Sequence, residues 1–208
     1  MLSASEAIKR LHEGNIRFTL NVRGPDAFMS QLRREELSSN QAPFAIILGC
    51  ADSRVPAEIV FDQGLGDLFV IRIAGNIVAP SGIGSVEFAA ERFGTRLVVV
   101  LGHSRCGAVV ATLEELRRPT ENQSRNLRSI VDRVRPSVEG LLNKPRTNDE
   151  AIVKEAVRAN IRASVDNLSK GSEILTNLVK DGNLTIVGAE YSLETGVVEF
   201  LDGIPSAG

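Results

Sequence analysis

The chain has 208 residues, 43% of them hydrophobic and 24% charged, enough for one domain with a full core. Its 24 Lys and Arg are offset by 26 Asp and Glu, a formal charge of -2, so no basic stripe invites nucleic acid. Two cysteines rule out a disulfide framework, and no apolar run reaches the ~18 residues of a membrane-spanning helix.

Residues 3–20 predict an amphipathic helix, capped by Ser3 or Ser5, with Ala7, Ile8, Leu11 and Ile16 along one side. It precedes the first strand and is expected to clasp a second subunit. A short helix is expected over 26–37. FAIILG (44–49) reads as a buried strand, 56–61 as a short helix, 62–67 as a Gly-rich turn and 68–73 as a second strand. Residues 81–93 predict a helix with Val86, Phe88, Ala89 and Phe93 as core positions. A third strand over 97–101 leads to a helix over 107–116. The polar stretch 117–150, with Pro119, Pro136 and Pro145, predicts loop with one helix near 124–142. Helices over 149–168 and 172–180 follow, then a strand over 184–189, a turn at 194–196 and an antiparallel strand over 197–201.

Strands alternating with helices give an α/β fold: a mostly parallel four-stranded sheet with an added antiparallel edge strand, flanked by helices. One domain spans 1–208, as an N-terminal helical arm (1–40) and an α/β core (41–208). Reduced thiols, and an N-terminal MLSASEAIKRLHEGN without an apolar leader, predict a cytoplasmic protein.

Two strand signals end alike, in a glycine followed by a metal-type ligand. FAIILG delivers Cys50; LVVVLG delivers His103, with Cys106 three residues on. These are both cysteines and one of the two histidines of the chain. If the runs are neighbouring parallel strands, a Cys₂His site forms at their shared carboxyl edge. Such a site suits Zn²⁺ and keeps a fourth position open. A lone buried cysteine is more often a small hydrophobe, but three ligand types at matched strand ends outweigh that reading. Asp52 can close the site as a fourth ligand. Alternatively it pairs with Arg54 and accepts a hydrogen bond from a metal-bound hydroxide; the two options exclude each other. Gly64-x-Gly66 and Gly82-x-Gly84 complete no nucleotide-binding motif.

Cys50-x-Asp52-x-Arg54 followed by His103-x-x-Cys106 resembles the signature of the β-class carbonic anhydrases. The similarity continues through ILGCADSRVPAEIVFDQGLGDLFVIRIAGN, GSVEFAAERFGTRLVVVLGHSRCGAV and GAEYSLETGVVEF. It implies one Zn²⁺ per subunit and reversible hydration of carbon dioxide to bicarbonate and a proton by zinc-bound hydroxide. In the family pattern Asp52 orients the hydroxide and Arg54 holds Asp52 off the zinc. Gln41 donates to substrate oxygen, and Phe69, Ala74 and Phe88 line the CO₂ pocket. The backbone N–H of Gly107, at a helix start, can donate to a developing oxyanion. Without the resemblance, Gln41 reads as a loop residue and the phenylalanines as core. The family also implies a homodimer or homotetramer; the apolar edge strand 197–201 either adds to an intersubunit sheet or is covered by the helices. The alternative reaction is hydrolysis of carbonyl sulfide or carbon disulfide by the same hydroxide.

One departure stands out. A regulatory bicarbonate site of some members needs a Trp, an Arg and a Tyr. Arg72 and Tyr191 match, but the Trp position is Ile47, which counts against bicarbonate regulation. His12 reads as a surface or interface residue, so no side chain is an evident proton shuttle. Two thiolates make a zinc-bound water less acidic than three imidazoles would, and activity is expected to climb toward alkaline pH.

Overall fold

The computed structural model describes residues 2–23, 31–120, 124–143 and 149–201. Five strands, β1 (Ala45–Gly49), β2 (Leu68–Arg72), β3 (Leu97–His103), β4 (Thr185–Tyr191) and β5 (Val198–Phe200), form one sheet in the order β2-β1-β3-β4-β5. The first four run parallel and β5 is antiparallel to β4, as the sequence predicts. β1 and β3 are buried at every position, which explains their unbroken apolar runs.

The helices are α1 (Ala4–Thr19), α2 (Gln31–Leu37), α3 (Ala57–Val60), α4 (Pro80–Phe93), α5 (Gly107–Arg117), α6 (Arg125–Val138), α7 (Asp149–Lys170) and α8 (Glu173–Lys180). Strand alternation sorts the core into two layers. Ile46, Leu48, Val98 and Val100 pack with α4 to α7, whereas Ala45, Ile47, Leu97, Val99 and Val187 pack with α1 and α3.

The α1 helix opens with a capping box between Ser3 and Glu6. Ala7, Ile8 and Leu11 are buried within this chain, so the helix is part of its own core. Ile16 does not join them; it is 43% exposed. Gly14 and Asn15 take the inward positions instead. A Cβ at Gly14 would lie 1.8 Å from the Phe61 carbonyl oxygen, so only glycine permits this approach. Asn15 donates to the carbonyls of Val60 and Gly196 and accepts from the Val198 N–H, tying β5 to the helix.

The α4 helix begins with Pro80 in its first turn and ends at Gly94 in left-handed conformation, the usual asymmetry of helix ends. Val86, Ala89 and Ala90 are its buried residues. Phe88 is not core as expected: it is 52% exposed, being about 200° around the helix from Val86. Of the short helix expected over 26–37, Gln31–Leu37 is helical, while 26–30 lie outside the described residues, as does Pro145. The α6 helix carries Pro136 in its last turn and buries Val131, Val134 and Val138; a 3₁₀ segment, Glu139–Asn143, follows.

The α7 helix crosses β3 and β4 on two glycines. A Cβ at Gly102 would lie 2.5 Å from Ile161 Cγ1, and one at Gly188 would lie 2.7 Å from Ile161 Cγ2. Those glycines are a socket for one isoleucine, and the first of them directly precedes His103.

Candidate metal centre

In chain order β1 is followed by β2 on one side and β3 on the other. The sheet therefore reverses its winding between β1 and β3, where a crevice opens at the carboxyl ends of the strands. Gly49 is level with Leu101, so Cys50 and His103 leave the sheet within a residue of the same height. From His103 the chain turns through Arg105, with a left-handed φ of 53°, and enters α5 with Cys106 at the N-cap. That turn brings Cys106 back to the two side chains, Cys50 and His103, that the strands have already positioned.

The ligand atoms of Cys50, His103 and Cys106 all lie within 4.8 Å of one another, and all three residues are buried. The two sulfurs are 3.9 Å apart. A tetrahedral zinc with Zn–S of about 2.3 Å spaces its sulfurs by about 3.8 Å, so the donors fit that ion. His103 adds a second sign. Its Nδ1 is 2.9 Å from the Ser104 carbonyl, which fixes the proton there and leaves the Nε2 lone pair free. Nε2 is fully buried, with no hydrogen-bond partner among the described residues. An orphaned acceptor beside two buried thiols is costly unless a cation is its partner.

Electrostatics points the same way. The Cys50 thiol is pushed down to about 4, chiefly by the hydrogen bond from Cys106 and against the opposing effect of burial. The Gly75 N–H, 3.3 Å from Cys50 Sγ, also favours the thiolate. Cys106 is pushed up by sharing its proton with Cys50 and by burial. The pair gives up its first proton easily and its second with difficulty, a conflict that a dication resolves by taking both as thiolates.

Asp52 stands at the rim. Arg54 donates to Oδ1 from Nε (2.9 Å) and from its backbone N–H (3.0 Å), and to Oδ2 from Nη2 (2.7 Å). This bidentate grip holds the Asp52 carboxyl well below the usual carboxylate range. Asp52 Oδ2 is 3.8 Å from His103 Nε2, beyond hydrogen-bonding distance. Arg72, which in sequence matches only a regulatory-site position, donates from Nε to the Cys50 carbonyl (3.1 Å) and from Nη2 to the Asp52 carbonyl. It fixes the backbone between ligand and carboxylate. Tyr191 is buried against Phe18.

The remaining candidate residues divide into two groups. Gly107 is exposed at the start of α5, and a Cβ there would meet nothing within 4 Å among the described residues. Ala74 opens the 3₁₀ turn Ala74–Asn76, whose Gly75 touches Cys50. Gln41 lies elsewhere. It precedes β1, a five-residue strand that at about 3.3 Å per residue puts roughly 16 Å between its ends. It lines a surface groove with Leu37, Leu65, Arg92 and Phe93. Phe69 is level with Ile46, near the start of β1, and forms a ring cluster with Phe88 and Phe93 at centroid distances of 5.6 to 6.3 Å. Gln41 and the phenylalanines thus occupy a different stretch of this chain from its cysteines. His12 is exposed on α1.

Residues 45–198 match the family model described as carbonic anhydrase. The chain belongs to the β-class carbonic anhydrases. It is 41% identical over 204 residues to carbonic anhydrase 2 of Mycobacterium tuberculosis, covering 97% of this chain and 95% of that protein. To the carbonic anhydrase of Mycolicibacterium smegmatis it is 42% identical over 195 residues, covering 93% and 91%. Among solved structures, the β-carbonic anhydrase CcaA superimposes with a TM-score of 0.73 at 28% identity, over 97% of this chain and 93% of that one. With the family comes the reaction, reversible hydration of carbon dioxide to bicarbonate and a proton.

Proposed function

We propose that Cys50, Cys106 and His103 hold one zinc ion per chain and that carbon dioxide is hydrated there. The observation that carries this is the buried, unpartnered Nε2 of His103 facing two thiols 3.9 Å apart. When bound, zinc acidifies water and so supplies a nucleophile near neutral pH. The chain does the rest. Two thiolates and one neutral imidazole balance the dication, so the buried cluster carries no net charge. Asp52 stays ionised because Arg54 grips it, and its Oδ2 keeps a lone pair to accept a hydrogen bond from the reacting water and orient it. The Gly107 N–H, at the positive end of α5, donates to the substrate oxygen on which charge develops. Arg72 keeps the Cys50–Asp52 backbone from drifting.

Gln41, Phe69 and Phe88 serve the pocket from a second copy of the chain. Within one chain, the length of β1 separates Gln41 from Cys50, and Phe88 is half exposed; a docked copy covers the ring cluster and brings Gln41 to the other chain's crevice. A homodimer is therefore the smallest complete unit, and a tetramer is a pair of these. The proposed domain is the whole chain, with α1 built into the core. No described helix is long and apolar enough to cross a membrane; a cytoplasmic enzyme accords with its free thiols.

The test is CO₂ hydration above pH 8 by native, chelator-stripped and zinc-restored protein, alongside Cys106→Ser. Activity that follows zinc content, and is lost in Cys106→Ser, supports the proposal. Full turnover by stripped protein or by Cys106→Ser overturns it.

A further inference from the structure

The turn Ala74–Asn76 bends through two consecutive left-handed residues, Gly75 (φ 71°) and Asn76 (φ 45°). Asparagine pays for that conformation in steric crowding, so something must hold the turn. Two buried side chains of α7 do so. Asn160 Nδ2 donates to the Gly75 carbonyl at 2.7 Å, and Ser164 Oγ donates to the Asn76 carbonyl at 3.0 Å. The two residues are four apart and share one face of the helix. They sit among Ala156, Val157, Ile161 and Leu168 on the buried side of α7, where apolar residues would otherwise be expected. Gly75 then uses its other polar group on the cysteine: its N–H reaches Cys50 Sγ at 3.3 Å.

We propose that Asn160 and Ser164 are positioning residues for the metal centre. From α7 they lock the 74–76 turn so that the Gly75 N–H stays aimed at the Cys50 sulfur. That bond fixes where the sulfur sits and lowers the energy of its lone pairs. Neither residue touches substrate or metal; both act through the turn. Outer groups of this kind typically set metal affinity by roughly 10- to 100-fold. The same lock holds Ala74, at the head of the turn, against the site.

This inference rests on the reading of Cys50 as a metal ligand, and the test separates the two. Protein is loaded with Co²⁺ in place of zinc, and the thiolate-to-cobalt charge-transfer band is recorded for wild type, Asn160→Leu, Ser164→Ala and Ser164→Thr. Zinc affinity is measured by chelator competition, and melting temperature in parallel. Loss of the N–H···S bond raises the energy of the sulfur lone pairs. The band should therefore move to longer wavelength in Asn160→Leu and Ser164→Ala, with zinc held about tenfold or more weakly. Ser164→Thr keeps a hydroxyl and should keep the native band. If Asn160→Leu does not fold, Ser164→Ala, which removes a single oxygen, decides alone. A native band and native zinc affinity in every variant that folds overturn the proposal, even if melting temperatures fall. So does a shift in Ser164→Thr equal to that in Ser164→Ala. A wild-type protein without a thiolate–cobalt band would sink the metal reading itself.

Discussion

Gly102→Ala should damage this protein although the new group is a single methyl. Its Cβ would lie 2.5 Å from Ile161 Cγ1 and 2.6 Å from Cδ1, against an ordinary contact of about 3.5–4.0 Å. About 1 Å must be found. Ile161 cannot simply retreat, because its Cγ2 occupies the matching socket at Gly188. Overpacking of this kind costs about 1–3 kcal/mol, or roughly 2–12 °C of melting temperature at this chain length. The strain falls on the residue before His103, so zinc retention should drop as well. Ile161→Val keeps the γ carbon nearest the new methyl and should relieve little. Ile161→Ala alone costs about 2–5 kcal/mol through its cavity, but in the double variant the two changes compensate. Thermal melts of wild type, both single variants and the double should give a favourable coupling of at least about 1 kcal/mol. A Gly102→Ala protein that melts like wild type, or strictly additive effects, would refute the socket.

Further outcomes follow from the site. Arg54→Leu releases Asp52 from its grip; turnover should fall by about 10²-fold while zinc content stays at one per chain, and equal losses of both would contradict the orienting role. Arg54→Lys should recover little, because an ammonium cannot grip both carboxylate oxygens. Zinc uptake by stripped protein should release close to one proton near pH 7, the one the two thiols share, because their hydrogen bond favours the thiolate on one sulfur and the thiol on the other. Affinity then rises about tenfold per pH unit; calorimetry in buffers of differing ionisation enthalpy counts the protons, and a count of zero or two rejects the shared-proton pair. Asp52 has its pKa lowered in the folded protein, so the stabilisation from its pair is present above the ordinary value of about 3.9. It is lost only as pH falls through the lower folded value, so turnover rising from pH 6 to 9 must come from acidification of water; a flat profile contradicts that. Phe88→Glu should yield single chains by light scattering and lose turnover with them, whereas an intact, active oligomer would show that Phe88 faces no second copy.

Much of this architecture was legible in the sequence, because apolar runs closed by glycine mark buried strands and a ligand after each glycine marks their carboxyl edge. Cys50, His103 and Cys106 could be brought together from that pattern before any coordinates. Periodicity failed where packing is individual. Phe88 looks like core on apolarity alone, but its angle on α4 turns it outward. Gly102 and Gly188 look like generic strand glycines; only the approach of Ile161 shows that they are a socket. Asn160 and Ser164 read as ordinary polar positions of a long helix, and their partners, two carbonyls of a turn 85 and 88 residues away, leave no local trace. Arg72 fits a regulatory match in the sequence, while its bonds to the Cys50 and Asp52 carbonyls exist only in the folded loop. Asp52 offered two exclusive partners in sequence; the folded chain has it in the grip of Arg54.

X-ray absorption at the zinc edge of the purified enzyme addresses the centre itself. Two sulfur neighbours at about 2.3 Å and two nitrogen or oxygen neighbours at about 2.0 Å are the predicted shell, one sulfur being lost in Cys106→Ser. A shell without sulfur, or protein carrying no stoichiometric zinc, would contradict the account.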